Sequence, residues 1–104
     1  MTDMKTTIAI LLLALASPLL ATPDGAALFK TNCAICHGPD GRAQTPAGKS
    51  MKVRDLTSAE VQKLSDAELT AIISYGKGKM PSYKARLGPD DIKQLIAHIR
   101  AFKK

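Results

Sequence analysis

Apolar positions along the chain fall into two kinds of pattern. From Ile8 to Ala21 the run IAILLLALASPLLA is almost wholly apolar, with no period. Beyond Asp24 the apolar residues recur at helical spacing between polar ones. Asp24 is a good N-cap for a first helix through GAALFKTNCAI, with Leu28, Phe29 and Ile35 as its apolar positions. Gly38, Pro39, Asp40 and Gly41 end it. The stretch RAQTPAGKSMKVRDL that follows carries no clear period and reads as loop. Thr57 with Glu60 has capping-box spacing and predicts a short helix over SAEVQKL; Ser65 with Glu68 repeats the device before DAELTAIISY. Leu69, Ile72 and Ile73 form that helix's stripe, and Gly76 suits its stop. After the loop GKGKMPSYKARLG, a last helix opens at Pro89, with Asp90 and Asp91 in its positive first turn. Ile92, Leu95, Ile96 and Ile99 line one of its faces, and Arg100, Lys103 and Lys104 close its negative end. Nothing alternates with period two for long, so the fold class is all-α.

The aperiodic N-terminal run is shorter than the roughly 18 apolar residues of a spanning helix and is broken by Ser17 and Pro18. A charged start, an apolar middle and small residues at its end read as a secretory signal peptide over residues 1–21, with one domain over 22–104. Ala21 is preferred as the cleavage point because Pro18 ends the signal helix and the domain pattern begins only at Asp24; Ala16, in Ala14-Leu15-Ala16, is the alternative. The expected location is the periplasm, or otherwise outside the cytoplasm, with no membrane span after cleavage. A domain of this length draws only roughly 3–5 kcal/mol from its core alone, so something beyond side chains is expected to complete it.

The 104-residue chain has a net charge of +6, and losing Asp3 and Lys5 with the signal leaves that unchanged. Such a surface attracts acidic partners. Nucleic acid is excluded as the partner class: no recognised nucleic-acid motif and no run of basic residues interleaved with aromatics is present.

The chain has two cysteines and two histidines, and three of these four sit in Cys33-Ala34-Ile35-Cys36-His37. A thioredoxin-type pair belongs beside a βαβ pattern, which is missing. A structural zinc site wants four ligands, and only His98 remains to complete the set. The third reading is covalent c-type haem. Each thiol adds to one vinyl group, one helical turn sets both sulfurs along one edge of the ring, and the adjacent imidazole of His37 meets the iron. That cofactor also supplies the missing apolar core.

With these residues in view, the chain resembles the small class I cytochromes c, the bacterial monohaem carriers. The likeness covers Asp24 to Phe102 and rests on DGAALFKTNCAICHG, the loop YGKGKMP and the helix DIKQLIAHIRAF. It implies about four helices wrapped around one haem, with the first and last helices crossing. For the second axial ligand it points to Met80, in the Met-Pro loop before the last helix. The residues agree: a thioether suits ferrous iron, and Gly76 and Gly78 let such a loop approach closely. Met51 reads as core or surface filler. The resemblance suggests a proline carbonyl to hold the other nitrogen of His37, for which Pro46 is preferred to Pro39. Arg42, Lys49 and Arg54 are candidates to meet the haem propionates. The resemblance also sets Gly25 and Phe29 at the crossing, where relatives often place tyrosine against them. Here His98 takes that place, and a smaller, titrating side chain predicts a looser or pH-sensitive crossing.

The implied function is one-electron transfer by a monomer between periplasmic redox proteins, without catalysis. The alternatives are a haem peroxidase or small-ligand binder with a labile Met80, and a subunit of a larger oxidoreductase complex.

Overall fold

The computed structural model describes residues 24–102; the signal-peptide expectation and the last two lysines lie outside them. Six helices are present in that range: α1 Gly25–Asn32, α2 Ala34–His37, α3 Pro46–Ser50, α4 Ala59–Gln62, α5 Asp66–Tyr75 and α6 Pro89–Ala101. No strand occurs among the described residues, and the one isolated bridge pairs Lys77 with Met80.

Most caps are those the sequence predicts. The Asp24 carboxylate accepts from the Ala27 N–H at 2.8 Å. Ser65 and Glu68 exchange hydrogen bonds of 3.0 Å each, a complete capping box. Gly88 precedes Pro89, and its N–H donates to the Asp91 carboxylate. Three expectations need correction. The helix over SAEVQKL is capped by Ser58, whose hydroxyl accepts from Val61 N–H, while Thr57 is buried and donates instead to Asp55 at 2.7 Å. The supposed loop after Arg42 contains α3, a single turn too short to show a period; Thr45 caps it and Pro46 opens it. The first helix is broken at Cys33, and Ile35 is not a core residue: it is 75 % exposed. With Cys33, Cys36 and His37 turned toward the interior, the residue between them faces out.

The helix crossing is tight. A Cβ on Gly25 would lie 2.1 Å from the Gln94 carbonyl oxygen and 2.9 Å from the Cβ of His98. The His98 ring stands 5.2 Å from Phe29 and 4.8 Å from Phe102, and the two phenylalanines are themselves 5.2 Å apart. The expected looseness is not found: Phe102 packs edge-on against both Phe29 and His98 at the crossing. Around this crossing Phe29 and Leu95 are fully buried, joined by Leu69, Ile73, Ile92, Ile96 and Ile99.

Arg100 does more than face a helix dipole. Its guanidinium donates to the Gln62 carbonyl at 2.9 Å, the Leu64 carbonyl at 2.6 Å and Asp66 at 2.7 Å. Gln62 in turn donates to the carbonyls of Leu56 and Ile99. This polar strut satisfies carbonyls at the α4–α5 junction and ties them to α6.

Gly25→Ala forces α1 and α6 apart, because the clashing atom is backbone and cannot rotate away. Although alanine is the better helix former by about 1 kcal/mol, the expected net loss is about 1–3 kcal/mol in a denaturant melt. A midpoint equal to or above that of the parent would show that the crossing has slack.

Candidate functional site

Several residues of the packed core also line a cavity. A cavity of about 270 Å³ opens among Phe29, Val61, Leu69, Ile73, Leu95 and Ile99, and Cys33, Cys36, His37 and Met80 line it as well. The donors come from two segments far apart in the chain, the α1–α2 turn and the loop between α5 and α6.

Backbone and side-chain bonds lock the first segment. The N–H groups of Cys36 and His37 both donate to the Cys33 carbonyl, at 3.2 and 3.0 Å. The Thr45 hydroxyl donates to the carbonyls of Ile35 and Cys36. Gly48 packs so closely that a Cβ there would lie 2.3 Å from the Cys36 carbonyl oxygen. Thr45 and Gly48 thus clamp the cysteine turn from α3. The sequence signal for them was the Thr-Pro pair that starts this helix.

His37 Nδ1 lies 3.2 Å from the Arg54 carbonyl. As donor to that carbonyl, Nδ1 carries the proton, and Nε2 keeps its lone pair for a metal. The partner is therefore Arg54, not the preferred Pro46. Pro46 is the first residue of α3, so its carbonyl runs along that helix axis. Burial lowers the His37 pKa, opposed by the Arg54 bond, and so favours the neutral imidazole that ligation needs. Burial, with Cys36 adding, pushes the Cys33 thiol up to about 11. That direction is opposite to the depressed thiol pKa usual in disulfide-exchange pairs. Zinc fares no better: His98, the needed fourth ligand, is held between two phenylalanine rings at the crossing.

Met80 sits in a tight turn, with Lys77 N–H donating to its carbonyl at 3.1 Å and its own N–H donating back at 2.9 Å. Gly76 makes that turn possible. Its φ of 79° and ψ of 173° belong to a region open essentially to glycine alone, and a Cβ would lie 2.5 Å from the Met80 carbonyl oxygen. Met51, read as filler, lines the same cavity. Tyr83, which the sequence reading passed over, lines it too; its hydroxyl donates to the Asn32 carbonyl at 2.9 Å. Burial raises the Tyr83 pKa, with the nearby Cys33 adding to it.

Of the propionate candidates, Arg54 lines the cavity, as do Lys52, Lys77 and Lys79. Arg42 pairs with Asp40 at 4.0 Å, and neither it nor Lys49 is among the lining residues. Two thiols, one imidazole nitrogen, two thioethers, an apolar wall and a basic rim fit a c-type haem with its two acidic side chains.

Comparison with known proteins agrees. Residues 21–99 match the family described as cytochrome C oxidase, cbb3-type, subunit III. The chain is 37% identical over 95 residues to cytochrome c6 of Nostoc sp., spanning 88% of this chain and 82% of that one. It is 34% identical over 82 residues to cytochrome c6 of Aphanizomenon flos-aquae, spanning 75% and 86%. Among solved structures, the KustC0563 c-type cytochrome aligns with a TM-score of 0.73 at 36% identity, over 79% of this chain and all (100%) of that one. The chain belongs to the cytochrome c family, as a small class I member with the all-α fold of that class. It is a small electron carrier that works with redox partners and is built around one covalently bound c-type haem. No helix among the described residues is long and apolar enough to cross a membrane.

Gly76→Ala is expected to strain the Met80 turn by about 1–3 kcal/mol. Amide exchange at Lys77 and Met80 should quicken by roughly 5- to 150-fold, while α6 is unaffected. Gly88→Ala, at an ordinary φ of -76° and with only the Asp91 carboxylate at 4.0 Å, serves as the control. Unchanged exchange at Met80 in Gly76→Ala would refute the steric account of this turn.

Proposed function

We propose that Cys33 and Cys36 carry the two haem thioethers and that His37 and Met80 are the axial ligands of a periplasmic, monomeric electron carrier. The observation that carries this reading is the convergence of these four side chains on one apolar cavity in the core. The haem supplies one-electron cycling between ferrous and ferric iron. The protein's part is to hold it. The cysteine turn, clamped by Thr45 and Gly48, sets the tether. The Arg54 carbonyl keeps the His37 proton on Nδ1 and so fixes which nitrogen faces the iron. The turn at Lys77–Met80 presents a thioether, which favours the ferrous state relative to a second imidazole. Arg54, with Lys52 beside it on the rim, is assigned to the propionates.

With both axial positions held by the chain, dioxygen and peroxide would find no coordination site, and on this reading the protein transforms no substrate. Residues 1–21 act as a cleaved signal that delivers it to the periplasm.

Met51 lines the same cavity, so the ligand assignment has a direct rival. Met80→Ala should abolish the weak red-end absorption of sulfur-to-ferric-iron ligation, lower the potential and open the iron to added cyanide; Met51→Ala should do none of these. The reverse result would transfer the ligand role to Met51.

The basic rim also assigns a partner class. Lys77 and Lys79 line the cavity mouth beside Met80, and Lys84 follows in the same loop, over the Tyr75 ring at 5.1 Å. Lys30 is exposed in the last turn of α1. An acidic redox protein docking here comes close to the haem edge, and charge steering speeds a contact that stays weak enough to turn over. The second-order rate with an acidic acceptor should fall steeply as the Debye length shrinks from roughly 30 Å to 10 Å. Lys77→Glu with Lys79→Glu should slow it far more than Lys63→Glu with Lys93→Glu, two exposed lysines away from the cavity. Equal effects of the two pairs would remove the case for docking at this rim.

A further inference from the structure

The loop that carries Met80 is riveted to α5 on its C-terminal side. The Ser82 hydroxyl donates to the Ser74 carbonyl at 2.5 Å, Tyr83 N–H to Ile73 at 3.1 Å, and Lys84 N–H to Ser74 at 3.1 Å. These bonds use carbonyls of the last helical turn, which lack donors of their own. None of them reaches the segment that carries the cysteines. Tyr83 does. Its half-buried hydroxyl donates at 2.9 Å to the carbonyl of Asn32, the last residue of α1 and the neighbour of Cys33. The Arg86 guanidinium lies 4.6 Å from the centre of the same ring and holds it in place.

We propose that Tyr83 is a positioning residue: a clasp whose hydroxyl, bonded to the Asn32 carbonyl, keeps the Met80 loop closed on α1 and so keeps Met80 on the iron. This rests on Met80 being the sixth ligand. Before Met80 the loop has two glycines at positive φ, Gly76 and Gly78, which give it freedom to hinge. After Met80 it does not: Pro81 fixes its own φ, and Ser82 is bonded to Ser74. In the proposed open state Met80 withdraws from the cavity together with Tyr83, so that the bonds of Ser82 and Tyr83 to α5 loosen and the bond of Tyr83 to Asn32 breaks. The closed state is favoured over the open one by the net value of that bond, which corresponds to a factor of roughly two to ten.

Tyr83→Phe keeps the ring, its place in the cavity wall and the Arg86 contact, and removes only the hydroxyl. The test is titration of the ferric, haem-loaded protein with imidazole, which binds only when Met80 leaves. Tyr83→Phe should bind imidazole roughly two- to tenfold more tightly than the parent, whereas Tyr75→Phe, at a tyrosine 67% exposed, should not change it. In a Met80→Ala background the loop no longer competes for the iron, so adding Tyr83→Phe should have no effect on affinity. A lower melting temperature with unchanged imidazole affinity would reduce Tyr83 to a packing residue and overturn the clasp. An equal effect with and without Met80 would also overturn it, because the hydroxyl would then act by another route. If the sulfur-to-iron absorption survives Met80→Ala, the ligand assignment fails and the clasp with it. If that absorption is lost but Tyr83→Phe binds imidazole as the parent does, the clasp alone fails.

Discussion

The apolar core of this domain is built around the wall of a cofactor cavity. Leu69 and Ile73 of α5 and Leu95 and Ile99 of α6 pack in one buried cluster and also line a shared cavity of about 270 Å³. Interiors are ordinarily packed to the density of organic crystals, and a c-type haem seated in this cavity would bring its walls to that density. The haem is therefore a structural member as well as the redox centre. This accounts for the use of short, separately capped helices. Each wall has to face a flat object, and single turns such as α3 and α4 let the chain change direction around it where long helices could not.

The second constraint is that the two sides of the cavity come from opposite ends of the domain. Backbone contact at Gly25 against Gln94, together with three rings at Phe29, His98 and Phe102, brings α1 to α6. The Arg100–Gln62 strut then fastens the middle of the chain to the same helix. The Asp66–Arg100 ion pair in this strut is partly exposed and adds little by itself. Its carbonyl contacts matter more, because they satisfy buried backbone groups.

Much of this was legible in the residues. The capping pairs at Asp24 and Ser65, the stripe of α6 and the glycine stop at Gly76 are local rules, and the structure follows them. The cysteine-histidine turn was legible because few chemistries crowd those three side chains together. What was not legible depends on three-dimensional neighbours. Pro46 was preferred as the partner of His37, yet the carbonyl that meets Nδ1 belongs to Arg54, seventeen positions along the chain. Spacing cannot reveal that, since any backbone carbonyl is a chemically equal acceptor. Ile35 looked like a stripe residue because periodicity does not know which face the cofactor takes. Thr57 and Ser58 are both good caps, and only the bond from Thr57 to Asp55 decided between them. Tyr83 offered no signal beyond being an aromatic residue in a loop.

The position of the cysteines within this architecture bears on how the chain finds its fold. Bringing α1 to α6 closes nearly the whole domain into one loop, with an entropic cost on the order of 4 kcal/mol. Thioethers do not dissociate when noncovalent structure melts. With the thioethers at Cys33 and Cys36, as proposed, a denatured chain would still bear the ring beside α1, close to where the crossing will form. Refolding then becomes an intramolecular search by the distal helix for a surface already in place, and its rate carries no dependence on the concentration of free cofactor.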